Sequence, residues 1–542
     1  MKTFEEAAMP IRSRICKFNT ISLFGELISY LQQTPNMKKA GEISAPWVVL
    51  LAIDWVLELH PKSGKQTASQ KDVQYILNGI WRTQHIAVGV DTSPLSVQIR
   101  ALLAPQVIFQ NNSRDLTYSF LRIKKIIDAA PSNSKKFRNA FKKRYELELE
   151  EFYELAFLLC IYCMTEKTKL IDFSTLASNF TPHYSLECIS KVINILSKTI
   201  TEFVDEASSE PDRVVADNEY FKESIFLNSP FLLTDKGLLV IHPTMVMIGI
   251  SESLVRCFIR ENSNNRNIFT RCFEEYIDQI HKELSVSAIR EERLRKFYAK
   301  SGNSDRLVVD FLVQETGASI FIDAKGVDPT NPVLSATSRY RISRRINDQH
   351  LKAIRQIIDT VDVLSSNGFE NIECIDDRYG LVVTHQEFFL GTGERILSFL
   401  SEKLSTELET LAKDLIYFRN IHFLTIEQYE KLLCITNESE HSIAEFLKYV
   451  SNCESDSKTM KMIMEQYIES FCIEVCGLNL PNGCSSILAE KETIFESSLT
   501  VLNHNSDHWR MIGSKGGDNG IMHFLKCRKN LIQNTYLKKV MA

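Results

Sequence analysis

Two aspartates and a lysine stand at the ends of two apolar runs in residues 306–326, RLVVDFLVQETGASIFIDAKG. Asp310 belongs to the first run, while Asp323 and Lys325 end the second, beyond a short turn that contains Gly317. Apolar runs separated by a glycine turn are typical of two neighbouring strands. Burying two carboxylates side by side is costly unless a cation neutralises them, so these residues favour a divalent metal site. Hard oxygen ligands of this kind suit Mg²⁺ or Mn²⁺.

The period of two along a strand predicts which of these side chains point the same way. We expect Asp310 on one face with Leu312, and Asp323 on one face with Phe321 and Lys325. Two adjacent strands can therefore aim all three charged groups at one place. The alternative from the residues alone is an edge hairpin on which Asp323 and Lys325 form a surface ion pair.

The pattern Asp310, twelve residues, Asp323-Ala324-Lys325 resembles the core of the PD-(D/E)XK nuclease superfamily, the restriction-endonuclease-like enzymes. Val309 stands where the family has proline, a departure that involves no metal ligand. The resemblance covers about residues 266–390, so most of the chain lies outside it.

The predicted elements around this pattern also resemble the family. A helix predicted at 269–284 contains Phe273-Glu274, which is similar to the helix that opens many of these domains. A second helix predicted at 349–364 and a strand at 379–385 complete the family's order of α-β-β-β-α-β. The fold class that the resemblance implies is an α/β nuclease core, a mixed sheet flanked by helices, embedded between two mainly α-helical regions.

The resemblance implies a role for each residue of the pattern. Asp310 and Asp323 would hold one or two Mg²⁺ (or Mn²⁺) ions, with the carbonyl of Ala324 and with Glu274 as further ligands. Lys325 would orient the attacking water and balance negative charge in the transition state. The implied activity is metal-dependent hydrolysis of phosphodiester bonds in DNA or RNA, including tRNA, as in bacterial anti-phage defence nucleases. A different class stays open, namely a nucleic-acid-binding or scaffolding protein whose nuclease fold does not cut.

A basic segment after the second strand offers a path for a polyanion. Its cations would neutralise phosphates and its tyrosine would stack on a base; the alternative is a solvated loop. The residues are Arg339, Tyr340, Arg341, Arg344, Arg345, Lys352 and Arg355. A second cluster, KKFRNAFKKR at 135–144, is either the start of a phosphate-binding helix or an ordinary charge-patterned helix.

Three further motifs carry weaker signals. Gln349 and Gln356 lie where some members of the family place a polar group that faces the site. His504 and His508 have the spacing of metal ligands on a helix face, but no third ligand is evident, so surface histidines are favoured. The CxxC at 160–163 has no second pair, which favours core thiols over zinc ligands.

The 542 residues predict two to three domains. We expect a mainly helical substrate-binding or sensor region at 1–265, the nuclease-like domain at 266–390 and a helical region at 391–542. Residues 513–520, GSKGGDNG, predict a flexible loop.

The composition of the whole chain limits which partners and which cellular compartment we expect. A formal charge of −5 gives no global nucleic-acid signature, so any polyanion site must be a local basic patch. The 13 scattered cysteines favour a reducing cytoplasm over a disulfide framework. Apolar runs shorter than a bilayer span predict no membrane segment. The partners we expect are nucleic acid, a phage-derived trigger and further copies of the chain.

Overall fold

The structure is a computed structural model that describes residues 2–33, 45–89, 95–110, 116–165, 169–208, 215–326, 334–368 and 377–541. Within these residues the chain is mostly helical and forms two small mixed sheets, one of four strands and one of five. The expected combination of an α/β part with helical parts is therefore confirmed. In the described ranges, no helix is long and apolar enough to cross a membrane.

The described residues before 252 form helices around a small sheet. The helices are α1 (Phe4–Ile15), α2 (Thr20–Gln33), α3 (Pro46–Glu58), α4 (Gln70–Val88), α5 (Leu95–Gln110), α6 (Leu116–Asp128), α7 (Pro131–Tyr145), α8 (Leu149–Thr165), α9 (Phe173–Phe180), α10 (Leu186–Leu196), α11 (Ile200–Ala207) and α12 (Pro243–Ser251). The sheet has the order β1-β4-β3-β2, with β1 (Leu170–Asp172), β2 (Ser197–Lys198), β3 (Phe231–Leu233) and β4 (Gly237–Val240).

The five-stranded sheet contains the two apolar runs. Its strands, in spatial order, are β5 (Ala288–Arg290), β6 (Phe311–Glu315), β7 (Ala318–Lys325), β8 (Asp377–Thr384) and β9 (Ile421–Thr425). The first three strands are antiparallel, whereas β7, β8 and β9 are parallel. Gly317 has a φ of 81°, which glycine adopts freely, and it closes the two-residue turn between β6 and β7. Because β9 lies beyond residue 390, the sheet extends past the range expected for the nuclease-like domain.

The helices that the described chain forms between residues 263 and 367 are α13 (Ser263–Glu283), α14 (Glu291–Lys300), α15 (Arg339–Ile346) and α16 (Lys352–Asn367). The side chain of Asn262 accepts a hydrogen bond from the amide of Asn264 and so caps α13. Alternate residues of β7 pack in opposite directions: Ile322 joins the core on the α13 side and Phe321 joins the core on the α16 side. The strand is therefore buried on both faces, as expected for a strand in the middle of a layered α/β fold.

Strand β6 begins at Phe311, several residues later than the apolar run predicts. The preceding backbone is held by α16 instead of by a neighbouring strand. The amide of Leu307 donates to Asp359 at 3.2 Å and the amide of Val309 donates to the hydroxyl of Thr360 at 3.1 Å. Side-chain acceptors on a helix thus replace the partners that a sheet would supply.

The described chain after β8 is again mainly helical, apart from strand β9. Its helices are α17 (Gly393–Ser398), α18 (Glu402–Ala412), α19 (Ile426–Glu438), α20 (Ile443–Glu454), α21 (Met464–Ser470), α22 (Ser485–Ile532) and α23 (Lys538–Met541). Residues 513–520, predicted to form a loop, are helical on both sides of Gly517 (φ 46°, ψ −130°), so the break is confined to this one residue between two helical stretches of α22. The chain folds back there, so that the ring of Trp509 packs against Phe524 with a centroid separation of 5.1 Å.

Gly326 sets how closely α13 approaches the end of β7. A Cβ atom at this position would lie 2.9 Å from the Cα of Thr270 and 3.1 Å from the Cβ of Phe273. We expect Gly326→Ala to lower the free energy of unfolding by about 1–3 kcal/mol, measured by urea denaturation, because backbone must shift to admit the methyl group. The matched control is Gly25→Ala, at an exposed position of α2 with open space around it, which should be neutral or slightly stabilising. Equal stability of the two variants would contradict the close approach.

Candidate active site

The two aspartates meet where β6 and β7 begin to pair. Phe311 is opposite Ile322 in the antiparallel ladder, so continuing the register by one residue places Asp310 beside Asp323. Oδ2 of Asp310 accepts a hydrogen bond of 2.6 Å from the amide of Ala324. The structure thus brings the two predicted acids together across the hairpin.

Lys325 completes the group from the same face of β7. Its ammonium forms an ion pair with Asp323 and donates to Oε1 of Gln356 at 3.0 Å. The amide nitrogen of Gln356 donates in turn to the carbonyl of Val308 at 2.8 Å. Helix α16 therefore positions the lysine, and Gln356 is the polar group that faces the site, whereas Gln349 lies in the turn before that helix.

Burial raises the pKa of Asp310 well above its ordinary value, the charge of Asp323 raises it further, and Lys325 opposes the shift. Burial also raises the pKa of Asp323, against the lowering effect of Lys325. Asp323 is completely buried and the Lys325 side chain is 12 % exposed, so water screens this group poorly. Two carboxyls in this position favour a bound proton or a bound cation.

Glu274 approaches the pair from α13. Burial is the largest cause that raises the pKa of Glu274 to about 7, and the charges of Glu291 and Asp323 raise it as well, while Lys325 lowers it. Glu274, the predicted further ligand, is therefore close enough for its charge to interact with those of the two aspartates.

The donor chemistry of this group fits Mg²⁺ or Mn²⁺, since Asp310, Asp323 and Glu274 supply carboxylate oxygens. Both oxygens of Asp323 are buried and accept no well-directed hydrogen bond within the described chain, where the contact with Lys325 is an ion pair. In their present orientations, however, no three His, Cys, Asp or Glu side chains of the described residues converge closely enough to hold a metal ion. Metal binding therefore requires at least one carboxylate to turn away from the Ala324 amide or from Lys325.

The basic segment forms helix α15 and the start of α16, so the alternative of a loop is wrong. Helix α15 buries Ile342 and Ile346 and exposes its cations. Tyr340 is 74 % exposed. Within the described chain, no carboxylate lies within ion-pair distance of the four arginines of this helix, Arg339, Arg341, Arg344 and Arg345.

Lys352 and Arg355, the last two cations of the basic segment, lie near acidic side chains. Lys352 is exposed, and its charge lowers the pKa of Asp323, so it lies on the site's side of α16. Arg355 forms an ion pair of 3.5 Å with Glu407 of α18 and is thereby partly neutralised.

The second basic cluster forms helix α7, in which some of the cations are paired with carboxylates. In α7, Arg138 pairs with Asp128 and Glu150, and Lys142 pairs with Glu148. Lys135, Lys136 and Lys143 of the same helix are exposed, so the helix still offers cations to a polyanion.

The structure also places the two weaker metal-ligand motifs. His504 is exposed and His508 is half-buried on α22. Cys160 and Cys163 are buried in the core, and burial raises the pKa of both thiols, as expected for structural cysteines.

Glu291 and His350 belong to this neighbourhood although their sequence context does not mark them. The amide of Glu291 donates to the carbonyl of Asp310 at 2.8 Å, which links the start of α14 to the site. The imidazole of His350 is buried against Phe388, and burial lowers its pKa to about 3, helped by the charge of Lys325. Only the packing of α14 and of the turn before α16 onto the sheet brings them there.

Comparisons with family models, with curated proteins and with solved structures found no significant match for this chain. The resemblance to the PD-(D/E)XK nucleases is accordingly an inference from the residue pattern.

The raised pKa of Asp310 predicts a pH-dependent stability. The unfolded carboxyl ionises near its ordinary pKa of about 4, but the folded one ionises later, so the free energy of unfolding falls as pH rises above that value. Asp310→Asn removes the charge and keeps an oxygen that can accept from the Ala324 amide. With a chelator present, we expect the variant to exceed the wild type at pH 8 by on the order of 1 kcal/mol in urea denaturation, with little difference at pH 4. Asp305→Asn, at an exposed acid nearby, is the control. If the wild type were more stable than Asp310→Asn at pH 8, the raised pKa of Asp310 would be contradicted.

Proposed function

We propose that this protein is a metal-dependent nuclease of the PD-(D/E)XK type, with Asp310, Asp323 and Lys325 in its active site. The observation that carries the proposal is the burial of two mutually repelling carboxyls beside an ion-paired lysine on paired strands. Structural ion pairs gain nothing from a second buried acid, because the additional charge only adds desolvation and repulsion. Such a cluster is typical of sites that hold a cation for catalysis.

Asp310, Asp323 and Glu274 would hold Mg²⁺, together with the carbonyl of Ala324. The bound ion would lower the pKa of a water molecule and stabilise the charge on the phosphate oxygens. When Asp323 turns from Lys325, the ammonium stays in place because Gln356 holds it from α16. Lys325 then faces the phosphate, orients the attacking water and offsets the charge that develops in the transition state.

The exposed arginines of α15 and the exposed ring of Tyr340 support a nucleic-acid substrate. The carboxyls of the site repel phosphate, so affinity for a polyanion must come from cations outside it. Helix α15 provides them in the same part of the chain. We propose DNA or RNA, including tRNA, as the substrate. The role in bacterial phage defence, in the cytoplasm and under the control of a phage-derived trigger, depends on the resemblance alone.

The second candidate is a nucleic-acid-binding protein that does not cut. One observation favours it: the oxygens of Asp310 and Asp323 point to Ala324 and Lys325 instead of converging on one point. Both candidates use α15 for binding, and they differ in whether the aspartates turn to take up a cation.

Cleavage assays separate the two candidates. We expect the wild type to cut plasmid, single-stranded DNA or total tRNA with Mg²⁺ and not with chelator. Asp323→Ala and Lys325→Ala should each lower the rate by at least about 10²-fold, because each removes one part of a site that acts as a unit. Asp305→Asn is the matched control and should cut like the wild type; circular dichroism and thermal melting establish that each variant is folded. Near-normal cutting by Asp323→Ala would refute the proposed active site.

The salt dependence of binding tests the path of the nucleic acid. Replacing Arg344 and Arg345 with Ala should weaken binding to a single-stranded oligonucleotide and reduce the slope of log K against log salt by about 1–2, because fewer counterions are released. The measurement is fluorescence anisotropy in chelator, where no cutting occurs. Replacing Arg138 and Lys142, which are already ion-paired in α7, should leave the slope unchanged. An unchanged slope for the first pair would place the strand elsewhere on the protein.

A further inference from the structure

A cavity of about 130 Å³ lies at the carboxyl ends of β8 and β9. One wall is the segment that follows β8, and another is the start of α19. Side chains of α5 and α6 from the N-terminal helical region close it, among them Ala104 and Ser119. Crevices at the carboxyl ends of parallel strands are common ligand sites in α/β proteins, and this one has room for a group of nucleobase size.

The cavity adjoins the candidate active site. Thr384, the last residue of β8, is the ladder partner of Lys325. The amide of His385, which lines the cavity, donates to the carbonyl of Lys325 at 3.3 Å. Since adjacent strands are about 5 Å apart, the cavity begins one strand away from the end of β7, at the same edge of the sheet.

The wall after β8 presents an acceptor directly beside a donor. Glu387 is half-buried, and its carboxyl accepts from the amide of Phe389 at 2.7 Å and from the side chain of Gln428 at 3.3 Å. Its preceding neighbour, Gln386, has a buried amide nitrogen that donates to nothing in the described chain. The hydroxyl of Ser119, a residue only 7 % exposed, likewise has no hydrogen-bond partner among the described residues. Buried polar groups of this kind indicate a missing partner.

Phe389 lines the same wall of the cavity. Its backbone has a φ of 54°, which side-chain-bearing residues adopt rarely and which is held here by the hydrogen bond to Glu387. Strain of this kind is concentrated at functional sites, and an aromatic ring is a platform on which a base can stack.

The charges around the cavity exclude an anionic ligand. Its two guanidinium groups are already neutralised: Arg122 pairs with Glu427 and Glu430, and Arg256 pairs with Glu223 and Glu252. A phosphate or carboxylate would therefore meet mainly carboxylates. The complementary ligand is uncharged and presents adjacent N–H donors next to an acceptor, and among the nucleobases guanine has this edge.

We propose that this cavity binds the guanine base of a nucleotide next to the scissile phosphate and so determines where the strand is cut. Glu387 accepts from N1–H and the 2-amino group, Gln386 donates to O6, and Phe389 stacks on the ring. The role of the cavity in choosing the cut site rests on the proposed nuclease function, but binding of the base can be tested without cleavage.

The binding test uses short single-stranded oligonucleotides that carry one guanine or one inosine at the same position, in chelator. Inosine lacks the 2-amino group, so we expect the wild type to bind the guanine oligonucleotide about 5- to 100-fold more tightly. Glu387→Gln should lose this preference and weaken binding of the guanine oligonucleotide more than that of the inosine oligonucleotide, because the amide keeps one acceptor oxygen for N1–H and none for the 2-amino group. Glu409→Gln, at an exposed acid, is the control. Phe389→Leu should weaken binding of both oligonucleotides equally, because it removes only stacking. A wild type that does not distinguish guanine from inosine would overturn the proposal.

Two further experiments distinguish a free guanine nucleoside from guanine within a strand, and the base site from the nuclease activity. Free guanosine should compete with the guanine oligonucleotide and lose this effect in Glu387→Gln; competition that survives this change would overturn the assignment to the cavity. Sequencing of cut ends should show a guanine at a constant offset for the wild type and scattered bases for Glu387→Gln. Cutting that is metal-dependent but indifferent to bases would refute the base site alone, whereas guanine-specific binding without any cutting would refute the nuclease alone.

Discussion

Two carboxyls that are buried side by side repel each other, and the centre of this protein is arranged around that repulsion. The antiparallel pairing of β6 with β7 places Asp310 next to Asp323. The amide of Ala324 and the ammonium of Lys325 offset part of the cost, yet both carboxyls keep a raised pKa. The remaining cost favours any partner that removes the repulsion, which is either a proton or the divalent cation proposed above.

Positive and negative charges are separated in space around this centre. The acids lie inside, between α13 and α16, while the arginines of α15 stand outside in solvent. The N-terminal helical region is fastened to the same layer by buried polar contacts: Arg122 binds Glu430, and Arg100 donates to the carbonyl of Phe388 at 3.1 Å. The wall of the cavity beside the sheet is therefore built from both parts of the chain.

Much of the central fold could be predicted from local patterns. Alternating apolar residues and a glycine turn indicate β6 and β7, and helical spacing indicates α13 and α16. The start of β6 could not be predicted, because the amides before Phe311 bind Asp359 and Thr360 of a helix that is distant in the chain. The participation of β9 in the sheet and the helical state of residues 513–520 also depend on long-range packing, which a local pattern does not contain.

The sequence by itself determined which side chains meet at the hairpin, because a period of two and a short turn leave Asp310, Asp323 and Lys325 only one common face. Only the tertiary structure decided what surrounds them. It brought Gln356 to the lysine and Glu291 to the carboxyls, and it paired Arg138 and Lys142 of α7 with carboxylates. The physical reason is that burial, pKa and ion pairing depend on neighbours in space, and those neighbours come from elements far apart along the chain.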